Sequence, residues 1–427
     1  MPTLDEASFA LKTFLGAMAA LYLAFWLGLD NPYWAMATAY IVANPLTGPM
    51  RSKAVYRFIG TLAGGTAAVA LVPNLASAPL LLSFALACWV GLCLYISLLD
   101  RTPRAYTFML AGYTAGIIGF PSVDAPQLIF QTALTRVEEI SLGIVCTTMF
   151  GTVVFPRAIG PVLARRISTW VKPAIDWATA ALAGREEEAD IGAARRQLAV
   201  EATDVAMMTT QLAYDTSHLQ SAVRYIVHLR IYVLSLMPVL GSINDRVAEL
   251  RRRDGITPAL QLVLDAVRDW IQLGGPESNA ALRTQILQLE MDGSSWGGLL
   301  HASLARRLDE LVSLLHHARA IRRHIVDGDP APEGLLLRAE FLANATLLRD
   351  HSMAALSALA AVIATLLTCL FWIETSWPAG GTAAVMVAIA CSFFAGLDDP
   401  APAIARMLRD VLVVSVFDGL YLFVVLP

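Results

Sequence analysis

The sequence predicts an all-α, polytopic membrane protein: a six-span helical block, a cytoplasmic α-helical domain, and a partial second block of three spans. Three observations predict it. Of 427 residues, 56% are apolar and only 15% charged, where a soluble domain carries about a quarter charged. The charges are segregated: residues 157–349 hold 22 basic and 22 acidic residues, and the other 234 positions hold 9 and 13. Apolar runs long enough for a hydrocarbon core of roughly 30 Å recur on both sides of that charged segment.

The expected domains are therefore 1–156, 157–349 and 350–427. Spans are expected near 10–29, 33–49, 57–73, 79–99, 105–120 and 137–156, then near 351–373, 379–396 and 408–426. Asn31-Pro32 reads as a helix start, a cap followed by proline at the first helical position. Asn44-Pro45 and Gly48-Pro49 shorten or break the far end of the second span. Gly60 with Gly64, and Gly112 with Gly116, are small-xxx-small pairs that let helices approach closely in lipid. Asp5 and Glu6 stand where a cleavable signal peptide would be basic, so no such signal is expected.

The loops fix an orientation. Lys12, Arg51, Lys53, Arg57, Arg101, Arg104, Arg157, Arg165 and Arg166 fall on one side. The opposite loops, 30–32, 73–79 and 121–128, hold no Lys or Arg. The positive-inside rule then places the N-terminus and residues 157–349 in the cytoplasm. The middle domain reads as one long helix over 189–253 and further helices near 257–273, 276–291, 298–326 and 333–349, separated by Gly and Pro breakers. Arg185-Glu186-Glu187-Glu188 reads as a solvated loop or helix end.

Composition and motifs exclude several function classes. A net charge of −4 gives no nucleic-acid footprint. None of the three lysines follows a glycine, so there is no P-loop, and HExxH does not occur. The chain is not expected to be an enzyme or to hold a metal or other cofactor. His316, His317 and His324, beside Arg319, Arg322 and Arg323, read as a solvated basic face more readily than as a metal site. The cysteines all fall in apolar runs, where Cys behaves as a small hydrophobe.

Residues 33–43, YWAMATAYIVA, resemble 377–388, WPAGGTAAVMVA, and each copy is followed by a turn with proline and arginine. Repeats that meet near the bilayer midplane are a common transporter plan. The stretch 31–65, the runs 100–119 (DRTPRAYTFMLAGYTAGIIG) and 135–143 (TRVEEISLG), WPAGG at 377–381 and GLDDPAPAI at 396–404 resemble the fusaric acid resistance and aromatic acid exporter family. The resemblance implies an inner-membrane, gradient-driven pump that exports small organic acids, chiefly aromatic carboxylates, together with a periplasmic adaptor of the membrane-fusion type. It also implies two membrane halves, each followed by a cytoplasmic domain. Here the second half stops after three spans, so a homo-oligomer, or an incomplete non-transporting fragment, is the expectation. The six-span plan with cytoplasmic helices is also similar to plant malate-type anion channels, which keeps an organic-anion channel as the alternative.

Arg51, Lys53, Arg57, Arg101 and Arg104 read either as topology anchors or as a mouth for carboxylates, since arginine holds a carboxylate with two parallel bonds. Trp34 and Trp377, with Tyr33 and Trp372, read as an interfacial aromatic belt or as a stacking surface for substrate. Arg136, Glu138 and Glu139 open the expected sixth span. Arg136 and Glu139, at i and i+3, read either as an ion pair or as groups for proton coupling. Asp418, expected in the middle of the last span, is a further candidate coupling group.

Overall fold

The computed structural model describes residues 3–100, 102–183, 188–215, 222–253, 255–274, 279–289, 295–330, 349–397 and 399–425. All regular structure among them is helical. The chain divides into two compact units, Met1–Pro156 with Leu347–Pro427, and Arg157–Thr346.

Among the described residues the first unit holds nine α-helices: α1 (Leu4–Trp26), α2 (Pro32–Val42), α3 (Thr47–Leu75), α4 (Pro79–Leu99), α5 (Ala105–Gly119) and α6 (Ile129–Val153), then α13 (His351–Thr375), α14 (Gly380–Phe394) and α15 (Ala401–Leu420). A capping box starts α1: the Thr3 hydroxyl accepts from the Glu6 N–H and the Glu6 carboxylate from the Thr3 N–H. One face of α1 is small, with Gly16, Ala17, Ala20 and Ala24 buried, and it packs with Ala35 and Ala39 of α2. Its large side chains, Tyr22, Phe25 and Trp26, are exposed. Small residues inside and large apolar ones outside is the arrangement a lipid solvent selects, because lipid gives large side chains no reason to hide.

Close approach is clearest where α3 meets α5. A Cβ on Gly60 would lie 2.7 Å from the Thr107 carbonyl, and one on Gly64 equally close to the Ala111 carbonyl. Gly143 of α6 does the same for α2: a Cβ there would collide with the Ala35 carbonyl and the Thr38 side chain. Three helices of this unit are short. At 1.5 Å per residue, α2 with 11 residues rises only about 17 Å and α5 and α14 with 15 each about 22 Å, less than a hydrocarbon core.

Several helix bounds differ from the sequence expectation. The second expected span, 33–49, ends at Val42, and Thr47 already belongs to α3. The chain bends at Ala43, where φ and ψ leave the helical region just before Asn44-Pro45; Asn44, directly before the proline, is itself disfavoured in a helix. The sixth helix starts at Ile129 rather than near 137. Arg136 and Glu139 therefore lie two turns inside it instead of opening it. The last helix starts at Ala401, not near 408, so Asp418 sits close to its C-terminal end. Pro402 fits that early start because proline is tolerated in the first turn of a helix.

The second unit is α7 (Ile159–Ala183), α8 (Glu188–Gln211), α9 (Val223–Arg252), α10 (Pro258–Gln272), α11 (Ala280–Leu287) and α12 (Trp296–Val326). Its core includes Ile167, Trp170, Leu229, Leu236, Leu308 and Leu315. Thr257 caps α10 and Ser295 caps α12 through their hydroxyls. The single long helix expected over 189–253 is two helices, parted after the 3-10 turn Leu212–Tyr214. Apolar residues on both sides of the break face one core, so the periodicity runs through it. Buried Asp215 follows that turn and accepts from the Ile159 N–H at the start of α7; α7 itself was not among the expected helices. The expected helix near 333–349 and the segment 185–187 lie outside the described residues, apart from residue 349. α9 is long and apolar enough to cross a membrane, yet its apolar side chains pack into this core. The expected solvated basic face on α12 is partly buried instead. His317 lies edge-on to Tyr232, and Arg319 stacks over Trp270 and donates to the Ile271 carbonyl.

Candidate functional site

A cavity of about 540 Å³ lies inside the first unit, lined by residues of α2, α5, α6 and α14 and the turns beside them. Its aromatic and apolar wall includes Tyr33, Trp34, Ile117 and Pro121, and its charged groups are Asp30, Arg136 and Glu139. The two similar sequence segments both reach it, through Tyr33 and Trp34 on one side of the repeat and Thr382, Val385 and Met386 on the other. These contributions come from the first turn of the short helix α2 and the first two turns of the short helix α14. Helix N-termini carry partial positive charge and favour anions, and short or interrupted helices aimed at a ligand recur in transporters.

Arg136 and Glu139 bracket the start of α2. The Asn31 N–H donates to Glu139 Oε1 at 2.7 Å, so a carboxylate from α6 takes up one of the free donors at the α2 N-terminus. The Arg136 guanidinium lies over the Trp34 ring, 3.4 Å from its centroid. Both side chains are buried. Among the described residues, Arg136 Nε and Nη1 have no hydrogen-bond partner. Arg136 and Glu139, which read from the sequence either as an ion pair or as groups for proton coupling, each engage α2. A buried guanidinium with open donors beside an aromatic face suits a carboxylate joined to a ring. The donors meet the carboxylate and the wall meets the ring.

The other sequence candidates fall in different surroundings. Arg57 is buried in α3, with Nη1 donating to the Tyr106 hydroxyl at 2.7 Å and Nη2 to Thr38 Oγ1 at 3.4 Å. Arg104 is exposed, 3.8 Å from Asp100, so these two arginines do not share an environment. Arg51 is half-buried on α3, and Arg101 lies outside the described residues. Glu138 and Asp418 are exposed. Trp377 is exposed and edges Phe371 away from the cavity, whereas Trp372 packs on Phe120. Thr38, Tyr106 and Gly143 were not singled out from the sequence. The run of small buried residues Ala35, Thr38, Ala39 and Val42 on α2 is the pattern that points to them.

A family model described as "Fusaric acid resistance protein family" matches residues 6–427. The chain belongs to that family. Among curated proteins it is similar to the p-hydroxybenzoic acid efflux pump subunit AaeB of Musicola paradisiaca (strain Ech703), 29% identical over 428 residues, covering 98% of this chain and 64% of that protein. The subunits of the same name from Pectobacterium atrosepticum and Edwardsiella tarda are each 28% identical, covering 93% and 100% of this chain and 60% and 65% of theirs. The chain thus spans a little under two thirds of the length of these relatives. With its apolar helices, the chain is a multi-pass membrane protein of that family.

Proposed function

We propose that this chain forms the substrate path of a gradient-driven exporter of small aromatic carboxylates. The observation that carries the reading is buried Arg136, with unpaired donors on an aromatic-walled cavity and Glu139 one turn away. A charge within a membrane helix costs roughly 2.5–3.5 kcal/mol at the helix centre even on insertion scales, so function is the ordinary reason to keep one. The carboxylate sits against Arg136 and the start of α2, its ring packs near Trp34, and Glu139 is the carboxylate placed to exchange a proton. The similarity to p-hydroxybenzoic acid efflux pump subunits supports the choice of substrate class.

The basic loops support an inner-membrane orientation with the N-terminus and residues 157–349 in the cytoplasm. A periplasmic membrane-fusion adaptor and self-association complete the assembly in this reading. The test is efflux of a panel of aromatic acids from cells expressing the chain, with and without an uncoupler. Uncoupler-sensitive export of ring-bearing carboxylates is expected. Equal export with the gradient collapsed would replace the pump by a channel.

A further inference from the structure

We propose a second carboxylate-binding station at Arg57, reached from the Arg136 cavity along the face of α2 that carries Trp34 and Thr38. It rests on the reading of the first unit as a path for small carboxylates and adds a second stop to it. Arg57 is only 3% exposed, yet its bonds go to neutral hydroxyls, Tyr106 and Thr38. Among the described residues its Nε has no hydrogen-bond partner. No carboxylate among the described residues lies within ion-pair distance of it. A buried guanidinium served only by hydroxyls keeps most of its attraction for an anion.

Buried hydroxyls of the same unit repeat the pattern. Among the described residues, the buried hydroxyls of Ser52 and Thr61 of α3, Thr114 of α5 and Thr147 of α6 have no hydrogen-bond partner. Elsewhere in the same unit, Thr66, Ser141, Thr148 and Thr152 turn their hydroxyls back to the carbonyl four residues earlier, the usual refuge for such groups in a membrane helix. Thr61 follows Arg57 by one turn of α3. Thr38 joins the two arginines: it accepts from Arg57, it sits one turn beyond Trp34 under Arg136, and it packs on Gly143 of α6. Arg57 and Arg136 lie within electrostatic reach of each other. Two cationic stations spaced this way let an anion pass from one to the other, and a second anion weakens the hold on the first.

Calorimetric titration of the full chain in lipid nanodiscs with p-hydroxybenzoate tests this. Two equivalents are expected for the wild type, one for Arg57→Gln and one for Arg136→Gln. Arg57→Lys, and the double variant Thr61→Val with Thr114→Val, should keep both equivalents with the second weakened several-fold; these variants decide the matter if the glutamine form fails to fold. One equivalent in the wild type, two in Arg57→Gln, or wild-type binding in both conservative variants overturns the second station while leaving the Arg136 site standing. No binding by a well-folded wild type overturns the parent reading together with it. Titration in excess chloride separates the sources of anion: a carboxylate station keeps its second equivalent, and loss of that equivalent to chloride overturns the assignment.

Discussion

Glu139, on α6, accepts the backbone N–H of Asn31 across 108 positions of sequence, and so ties the sixth helix to the first turn of α2. The contact places a carboxylate where the α2 backbone presents unpaired donors, an arrangement worth about 0.3–1 kcal/mol and up to ~2 when partly buried. Trp34, three residues further along α2, lies under Arg136 of the same α6 face. Movement of α2 relative to α6 therefore changes the anion site and the Glu139 contact together.

That coupling predicts the behaviour of Glu139→Gln. The amide oxygen still accepts the Asn31 N–H, so the fold should survive with a loss of about 1 kcal/mol. The charge and the exchangeable proton are gone. Exchange of internal for external aromatic acid should persist, whereas uphill transport driven by an imposed pH gradient should fall at least tenfold. A variant that still concentrates substrate uphill at the wild-type rate removes Glu139 from the coupling step.

Gly143 sets the distance between α6 and α2. Any larger residue meets the Ala35 carbonyl and Thr38, and overpacking of this kind costs typically 1–3 kcal/mol. Gly143→Leu should lower the thermal unfolding midpoint in detergent and reduce export, while Gly241→Leu, where a Cβ meets nothing within 4 Å, should change neither. An unchanged midpoint for Gly143→Leu would mean that α2 and α6 pack less tightly than described.

The fold class was legible because it rests on bulk quantities, hydropathy and charge segregation, that survive any detail of packing. Helix ends were less so. The break after Leu212–Tyr214 hides inside a continuous apolar period, because helices on both sides serve one core. The start of α6 at Ile129 was masked by Pro126 and the polar Gln131, Thr132 and Thr135, which read as loop. At the site, Arg136 and Glu139 stood out as charges in an apolar run. Their partners did not: Asn31 uses a backbone N–H, and Thr38 and Tyr106 are ordinary residues made important by distant neighbours. Arg57 and Arg104 looked equivalent in sequence, each at the start of an apolar stretch, and only packing separates the buried one from the exposed one.

His317, in the second unit, gives a pH dependence. Burial holds its pKa below the usual 6.5, and the positive charges of His316 and Arg283 lower it further. Below about pH 6.5 the unfolded chain takes up a proton that folded His317 resists. Its contribution to stability is therefore complete above that pH and declines as the pH falls towards the folded-state value. Unfolding midpoints of the whole chain between pH 7.5 and 5 should drop, and His317→Gln should flatten the drop. An identical pH profile in the variant would assign the dependence to other groups.

The orientation is tested by reporters. The nine basic residues on one side of the first block, against none in the loops at 30–32, 73–79 and 121–128, predict that a cytoplasm-active reporter fused after position 250 is active and one after position 124 is silent. Strong activity at 124 would reverse the topology.

The central claim is that Arg136 holds the carboxylate of an exported aromatic acid. Its most direct measurement is uptake of radiolabelled p-hydroxybenzoate into inside-out membrane vesicles energised by a proton gradient. The comparison is between wild type, Arg136→Gln and Arg136→Lys at matched membrane levels. The account predicts uncoupler-sensitive accumulation by the wild type and a loss of more than tenfold with glutamine. Lysine should restore it only in part, because a point charge cannot reproduce the planar two-bond contact. Wild-type accumulation by a correctly inserted Arg136→Gln protein would contradict it.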